Sequence, residues 1–383
     1  MSQNNLSRLV VFVAFVVVSV SFRAVHAEQS LSEQRLVYAV GVGDISAVRK
    51  LLAEGVDPNT RTVEGGPQVI FLAVMLNRPD IIELLAQNGA DLDVKFDFEK
   101  RKHATPLSDA ICAFGRFESA LRLIKLGASI TDNQCAFLSN AIFWSFRYEI
   151  AAEKRAFSKR VALALLARGA DVKGYDNTAS SPLFAAIRAR SPEFVKMILD
   201  AGADPNLSLQ QGKGGSMVTP LGEAVRLSGV GKEAKNRILH TLLSYGADPN
   251  GISLGKRILD LAVLKEDWVF ELLLHSGADP NLGNTIEDAM LVGGIKWIFP
   301  LLFKYGANIN RCHSGDLTRP LIRAVEYGNI GFVKLFLKNG ADVCLRDGDG
   351  RTVFDVAAAT GDADLLGMLP PCTRPDTPDF RCH

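Results

Sequence analysis

Gly246-Ala-Asp-Pro-Asn250 and Gly277-Ala-Asp-Pro-Asn281 are two copies of a phrase that occurs, with small changes, nine times along this 383-residue chain. The others are Gly55-Val-Asp-Pro-Asn59, Gly89-Ala-Asp-Leu-Asp93, Gly127-Ala-Ser-Ile-Thr131, Gly169-Ala-Asp-Val-Lys173, Gly202-Ala-Asp-Pro-Asn206, Gly306-Ala-Asn-Ile-Asn310 and Gly340-Ala-Asp-Val-Cys344. Successive glycines lie 34, 38, 42, 33, 44, 31, 29 and 34 residues apart. A period of about 33 residues marks a stacked solenoid, whose units bury their apolar faces only against their neighbours. The functional question becomes which partner is bound rather than which reaction is run.

Apolar stretches such as Phe194-Val-Lys-Met-Ile-Leu199 and Val269-Phe-Glu-Leu-Leu-Leu274 precede the phrases, with helical spacing that turns one face inward. The glycine stands where the helix ends, in the left-handed conformation it adopts cheaply. Proline at four of the nine phrases blocks continuation of the helix. Upstream lie Thr105-Pro-Leu107, Ser181-Pro-Leu183, Thr219-Pro-Leu221 and Arg319-Pro-Leu321, each opening a short helix with proline in its first turn. The unit reads loop, helix, turn, helix, loop.

This pattern resembles the ankyrin repeat over roughly residues 30–371. Asp347-Gly-Asp-Gly-Arg-Thr352 matches the hairpin that opens such a repeat, and the Thr-Pro-Leu phrases match its first helix. The family's histidine after Thr-Pro-Leu is absent; Ser108, Phe184, Gly222 and Ile322 stand there. The repeats ending at Gly277 and Gly306 lack the phrase altogether. The resemblance implies an all-α repeat solenoid of about ten helix-turn-helix units with hairpin fingers. Residues 31–59 and 351–369 form atypical caps, as the ends of a solenoid must.

Residues 1–27 read as a cleaved secretory signal: Arg8, an apolar run from Leu9 to Phe22, then Val25-His26-Ala27. The solenoid is expected to be a single domain over 28–371, and 372–383 a cysteine-containing tail. The signal implies export, with a bacterial periplasm as the expected home and an extracellular eukaryotic site as the alternative. Removing it takes away Arg8 and Arg23 but no acid, leaving 43 − 2 = 41 basic residues against 42 acidic ones. A near-neutral chain offers no global field for nucleic acid or anionic lipid.

Cys112, Cys135, Cys312, Cys344, Cys372 and Cys382 permit three disulfides in an oxidising compartment. Proximity along the array favours Cys112 with Cys135. Cys372 with Cys382 and Cys312 with Cys344 follow for the other four, and Cys344 with Cys372 is the rival.

Departures from the repeat point to surface loops. Val94-Lys-Phe-Asp-Phe-Glu-Lys-Arg-Lys-His103 carries two phenylalanines in a basic cluster. Leu207-Ser-Leu-Gln-Gln-Gly-Lys-Gly-Gly-Ser216 is glycine-rich, and 144–160 is an insertion between two helices with Trp144, Phe146, Tyr148 and Phe157 among cations. A smaller insertion spans 227–233. In an ankyrin-like array, finger tips and first helices line a concave face, so the resemblance points to Phe96, Phe98, Arg101, Lys102, Tyr175, Gln210, Arg311 and Arg346 as partner-binding positions. Aromatic and arginine side chains suit a protein interface. The plainer reading has the phenylalanines packing on neighbouring fingers and the insertion folding as a longer helix.

No catalytic set, cofactor site or metal site is expected. Gly212-Lys-Gly-Gly-Ser216 departs from the phosphate-loop pattern, Asp347-Gly-Asp-Gly350 lacks the later acids of a calcium loop, and Cys312-His313 and Cys382-His383 sit where thiols are bridged. The expectation is a monomeric, exported, non-catalytic protein that binds another protein. Alternatives are an inhibitor neutralising a toxic effector or lipase, and a redox-protective factor.

Overall fold

A computed structural model of the chain describes residues 31–98, 101–131, 136–146, 151–173, 181–210, 215–229, 231–263, 265–293, 297–312 and 317–373. Residues 1–27, Tyr175, Cys135, Cys382 and most of the 372–383 tail lie outside them. The chain packs as two compact units. One holds the described residues up to 173 with 181–189 and 197–203; the other holds 190–196 and the residues from 204 onward.

Ten antiparallel helix pairs occur among the described residues, from Leu31–Val42 with Ile45–Ala53 to Val353–Thr360 with Ala363–Met368. Proline takes the first turn of Pro106–Ser108, Pro182–Arg188, Pro220–Arg226 and Pro320–Glu326, as their phrases lead one to expect. Pro106–Ser108 runs on into a π-helical turn, Asp109–Ala113. All nine phrase glycines adopt positive φ, from 74° at Gly169 to 101° at Gly127, so each helix ends in the left-handed turn that its glycine permits. Two-stranded hairpins, Phe96–Phe98 with Arg101–Ala104, Leu209–Gln210 with Met217–Val218, and Ile252–Ser253 with Lys256–Arg257, project between helix pairs as fingers.

The remainder of the phrase builds a ladder. Its aspartate accepts from the backbone N–H two residues on, as Asp57 does from Asn59 at 2.8 Å and Asp279 from Asn281 at 2.8 Å. This local turn aims the asparagine at the next repeat. There its amide works in both directions. Asn250 Nδ2 donates to the Gly277 carbonyl at 3.0 Å while Oδ1 accepts from Asp279 N at 2.7 Å. Asn59, Asn206, Asn281 and Asn310 make the same two bonds to Gly89 and Asp91, Gly246 and Asp248, Gly306 and Asn308, and Gly340 and Asp342. Asp93, which has no donor, keeps only the accepting half, from Ser129 N at 2.7 Å.

The missing histidine is replaced by local solutions. Ser108 closes a reciprocal cap with Thr105. Gly222 makes room for Ser253, whose oxygen would lie 2.2 Å from any Cβ there and which accepts from Thr219 N at 3.3 Å. Where the Thr-Pro-Leu phrase is lost, buried Asp260 accepts from Thr285 Oγ1 at 2.6 Å and Asn284 N at 3.2 Å, tying one repeat to the next. Phe71, Phe184, Phe270, Phe299 and Phe336 are fully buried in the units' cores, each worth about 2–3 kcal/mol relative to exposure.

The insertion over 144–160 is largely helix: Phe137–Ser145 is followed by Ala152–Ala167, a 16-residue helix whose Val161, Ala162 and Leu165 are buried. At the C-terminal end, Cys344 and Cys372 form a disulfide with Cα atoms 5.3 Å apart. This corrects the favoured pairings of Cys372 with Cys382 and Cys312 with Cys344 in favour of the rival. The physical reason is the cap: its two helices turn the chain back, bringing residue 372 within bridging distance of the last exit segment. Cys112 and Cys312 are also disulfide-bonded.

Candidate partner-binding surface

In the finger at 94–104, Phe96 pairs with Ala104 and Phe98 with Arg101 across the hairpin. Both phenylalanine rings meet buried Phe71, at 6.3 and 5.7 Å between centroids, and each other at 4.8 Å. Both rings are half-buried, so part of their area is committed to holding the finger on its repeat. Alternation leaves Asp97 exposed, where its Oδ1 accepts from His103 N at 2.6 Å and its Oδ2 pairs with Lys102 Nζ at 3.6 Å. The His103 backbone bond holds the Asp97 carboxyl below its usual value; desolvation opposes it, and the charges of Lys102 and His103 add smaller support. Lys102 remains 65% exposed, so its ammonium is available beyond this pair.

Arginines mostly brace the fingers. Arg61 Nη1 donates to Gly66 O at 2.7 Å, Arg257 Nη1 to Asn250 O at 2.8 Å, Arg311 Nη1 to Gly283 O at 2.8 Å, and Arg346 Nη1 to Gly350 O at 2.7 Å. Arg319 reaches the carbonyls of Asn310 and Arg346. Arg311 and Arg346, expected at the interface, thus carry a structural duty as well. Gln210 is exposed at the end of its strand. Arg101 lies in the hairpin, and Tyr175 is outside the described residues. The structure brings Phe96, Phe98 and Lys102 together on one finger and places Gln210, Arg311 and Arg346 on separate ones.

Asp347-Gly-Asp-Gly350 is a hairpin, as read: Gly350 N donates to Asp347 O, and Asp347 N to Arg351 O. Asp347, 1% exposed, is held by Arg351 Nε at 2.9 Å, Arg351 Nη2 at 2.8 Å and Arg351 N at 2.8 Å. Among the described residues no group of three or more His, Cys, Asp or Glu is placed to hold a metal ion, and no helix is long and apolar enough to cross a membrane.

A second cluster was only half visible in the sequence. Lys154 Nζ lies 5.9 Å from the Phe117 ring centroid and 5.8 Å from that of Trp144, which in turn meets the 48% exposed Phe143 edge-on. Arg116 stands beside them, its Nε on Met75 O at 3.1 Å. Trp144 and Lys154 are prominent in the insertion, but their partners Gly115, Arg116 and Phe117 belong to the preceding repeat, where ordinary turn spacing conceals them.

Family models for ankyrin repeats match three stretches: "Ankyrin repeats (3 copies)" over 36–134, "Ankyrin repeat" over 180–208 and "Ankyrin repeats (many copies)" over 321–369. Human cyclin-dependent kinase 4 inhibitor B is 32% identical over 129 residues, covering 33% of this chain and 72% of that protein. Ankyrin repeat and KH domain-containing protein mask-1 of Caenorhabditis elegans is 23% identical over 348 residues, 90% of this chain but 11% of its own length. A zebrafish (Danio rerio) putative palmitoyltransferase, ZDHHC13, is 29% identical over 213 residues, with 31% of its length covered. The chain thus spans under a third of these two longer relatives. The human ASB11 ankyrin repeat domain superposes with a TM-score of 0.44 at 23% identity, covering 66% of this chain and 100% of that one.

Proposed function

This chain belongs to the ankyrin-repeat family, whose repeats are protein-interaction modules, and from that premise we propose that it is a non-catalytic protein that binds a protein partner through its fingers. One observation supports the reading: the finger at 96–104 is anchored by Phe96 and Phe98 on buried Phe71, and that at 209–218 by its strand pairing, while Lys102 and Gln210 remain exposed on them. A pre-formed surface loses little ordering entropy on association, so its contacts convert efficiently into affinity. Lys102, on the same finger as the anchored Phe96 and Phe98, supplies a charged contact on the exposed face that it shares with Asp97.

The compartment we propose is an oxidising one, reached by export and most simply a periplasm. Its support is the bonded state of Cys112, Cys312, Cys344 and Cys372, since reducing compartments keep thiols free. The same bonding favours stapling over a redox-protective role, which needs a reactive thiol. The inhibitor reading, neutralisation of a toxic effector or lipase, is the second one. One relative, of which this chain covers 72%, is named for inhibiting a kinase, and a rigid binder inhibits by occupying its target's working surface.

Reversing charge at Arg101 and Lys102 tests the first reading. Capture of the native partner is expected to fall about tenfold or more, as for a pair of interfacial charges, with an unchanged melting temperature. Undiminished capture by a well-folded variant would remove the finger face from the account.

A further inference from the structure

Arg116 and Lys154 lie near enough in the amino-terminal unit for their charges to interact, and among the described residues neither is paired with an acid. Gly115 turns with φ 56° immediately before Arg116, and a Cβ at Gly115 would come within 3.4 Å of Lys154 Nζ. The glycine is needed for the left-handed turn, and the ammonium lies over the Phe117 and Trp144 rings beside it. The π-helical turn Asp109–Ala113 leads directly into this loop, and Arg116 N donates back to Ala110 O at 2.6 Å. Partial burial lowers both cations' pKa values, and Arg116 lowers that of Lys154 further. Among the described residues neither forms an ion pair.

Such an arrangement is electrostatically unfavourable by itself. Cation–π contact recovers part of the desolvation of Lys154, but among the described residues no acid offsets its repulsion by Arg116. Arg155, Lys159 and Arg160 follow Lys154 on the same helix, against Glu153, and point to its other faces. Phe143 adds an exposed apolar ring beside Trp144.

We propose that Arg116 and Lys154, framed by Trp144 and Phe143, form a docking site for an acidic, apolar-flanked segment of the protein partner. A partner carboxylate takes the free donors of both cations, and the adjacent apolar side chain lies on Phe143. Charge-assisted bonds at a partly desolvated pair are stronger than those of a surface lysine. An acidic peptide fits better than nucleic acid, because the ring-seated Lys154 with Arg116 beside it is one local site rather than a row of phosphate contacts. The proposal rests on the protein-binding reading and adds a second contact region, outside the fingers, to it.

A short fluorescein-labelled oligo-glutamate peptide ending in phenylalanine serves as the probe, titrated by anisotropy against the intact exported chain. The unmodified protein is expected to bind it, Lys154→Glu and Lys154→Met to weaken binding about tenfold, and Lys154→Arg to retain it. Lys159→Glu removes equal charge from the same helix away from the rings and is expected to change affinity less than about twofold. Equal losses at Lys154 and Lys159, no binding by the unmodified protein, or displacement of the peptide by a DNA oligonucleotide at lower concentration would each overturn the site. Thermal melts accompany every variant; if Lys154→Glu unfolds, Lys154→Met and Lys154→Arg decide. Failure here is distinguishable from failure of the finger reading, because the Arg101 and Lys102 variant is expected to lose native-partner capture and keep this peptide.

Discussion

Asn250 shows what a single repeated residue does here. Its amide donates to Gly277 O and accepts from Asp279 N, so one side chain satisfies two backbone groups of the neighbouring repeat. Asn250→Ala is expected to lower stability by about 1–2 kcal/mol, read by urea unfolding, because both partners are solvent-accessible and water replaces part of what is lost. Asn250→Asp keeps the acceptor, as Asp93 does naturally, and is expected to cost about half as much. The phrase's glycine and proline were legible one residue at a time, from conformation alone. The asparagine's role was not, because its partners lie 27 and 29 residues away and exist only once repeats stack. Arg351 is the converse case. It holds Asp347, which is 1% exposed, with paired bonds. Arg351→Met is expected to destabilise the C-terminal repeats by about 3 kcal/mol by stranding a buried carboxylate, and Asp347→Asn by less. Equal effects of the two on the urea midpoint would contradict this assignment.

Among the elements, the C-terminal cap depends most on fastenings other than its core. Helix Val353–Thr360 buries only Val353, Val356 and Ala357, and Ala363–Met368 only Leu365. A reciprocal cap between Thr352 and Asp355 opens the first helix, and the Cys344–Cys372 bond encloses both. A disulfide closing a loop of this size contributes about 3–4 kcal/mol in the chain-entropy account. Cys344→Ser is therefore expected to raise amide exchange across Val353–Met368 while exchange in Pro320–Glu326 stays slow. The Thr352 backbone N–H, then the Thr352 hydroxyl, holds the Asp355 carboxyl below its ordinary value of 3.8. A depressed value favours the ionised form in the fold, so this contribution is complete above 3.8 and is lost as pH falls below it. Asp355→Asn is expected to flatten cap stability against pH in that acid range, measured by the same exchange. Helix identity was readable throughout, since the apolar spacing and the glycine stops were strong. Finger detail was not. The half-buried Phe96 and Phe98, and the arginines bonded to finger carbonyls, depend on which face a short hairpin turns to Phe71 and to neighbouring loops.

For the whole molecule, the repeated phrase carries the family and the interaction-module reading, while the choice of face depends on side chains that a repeat pattern does not specify. The two units each present fingers fixed by inter-repeat asparagines, and the amino-terminal unit adds the Arg116–Lys154 cluster. The most direct test is crosslinking capture from whole native cells with residues 28–383 as bait, followed by mass spectrometry of the crosslinked lysines. The account predicts one enriched protein joined through Lys95, Lys102 or Lys154, and loss of the first two links on charge reversal at Arg101 and Lys102. An enriched protein crosslinked only at lysines away from the fingers and the cluster, or no enriched protein at all, would contradict it.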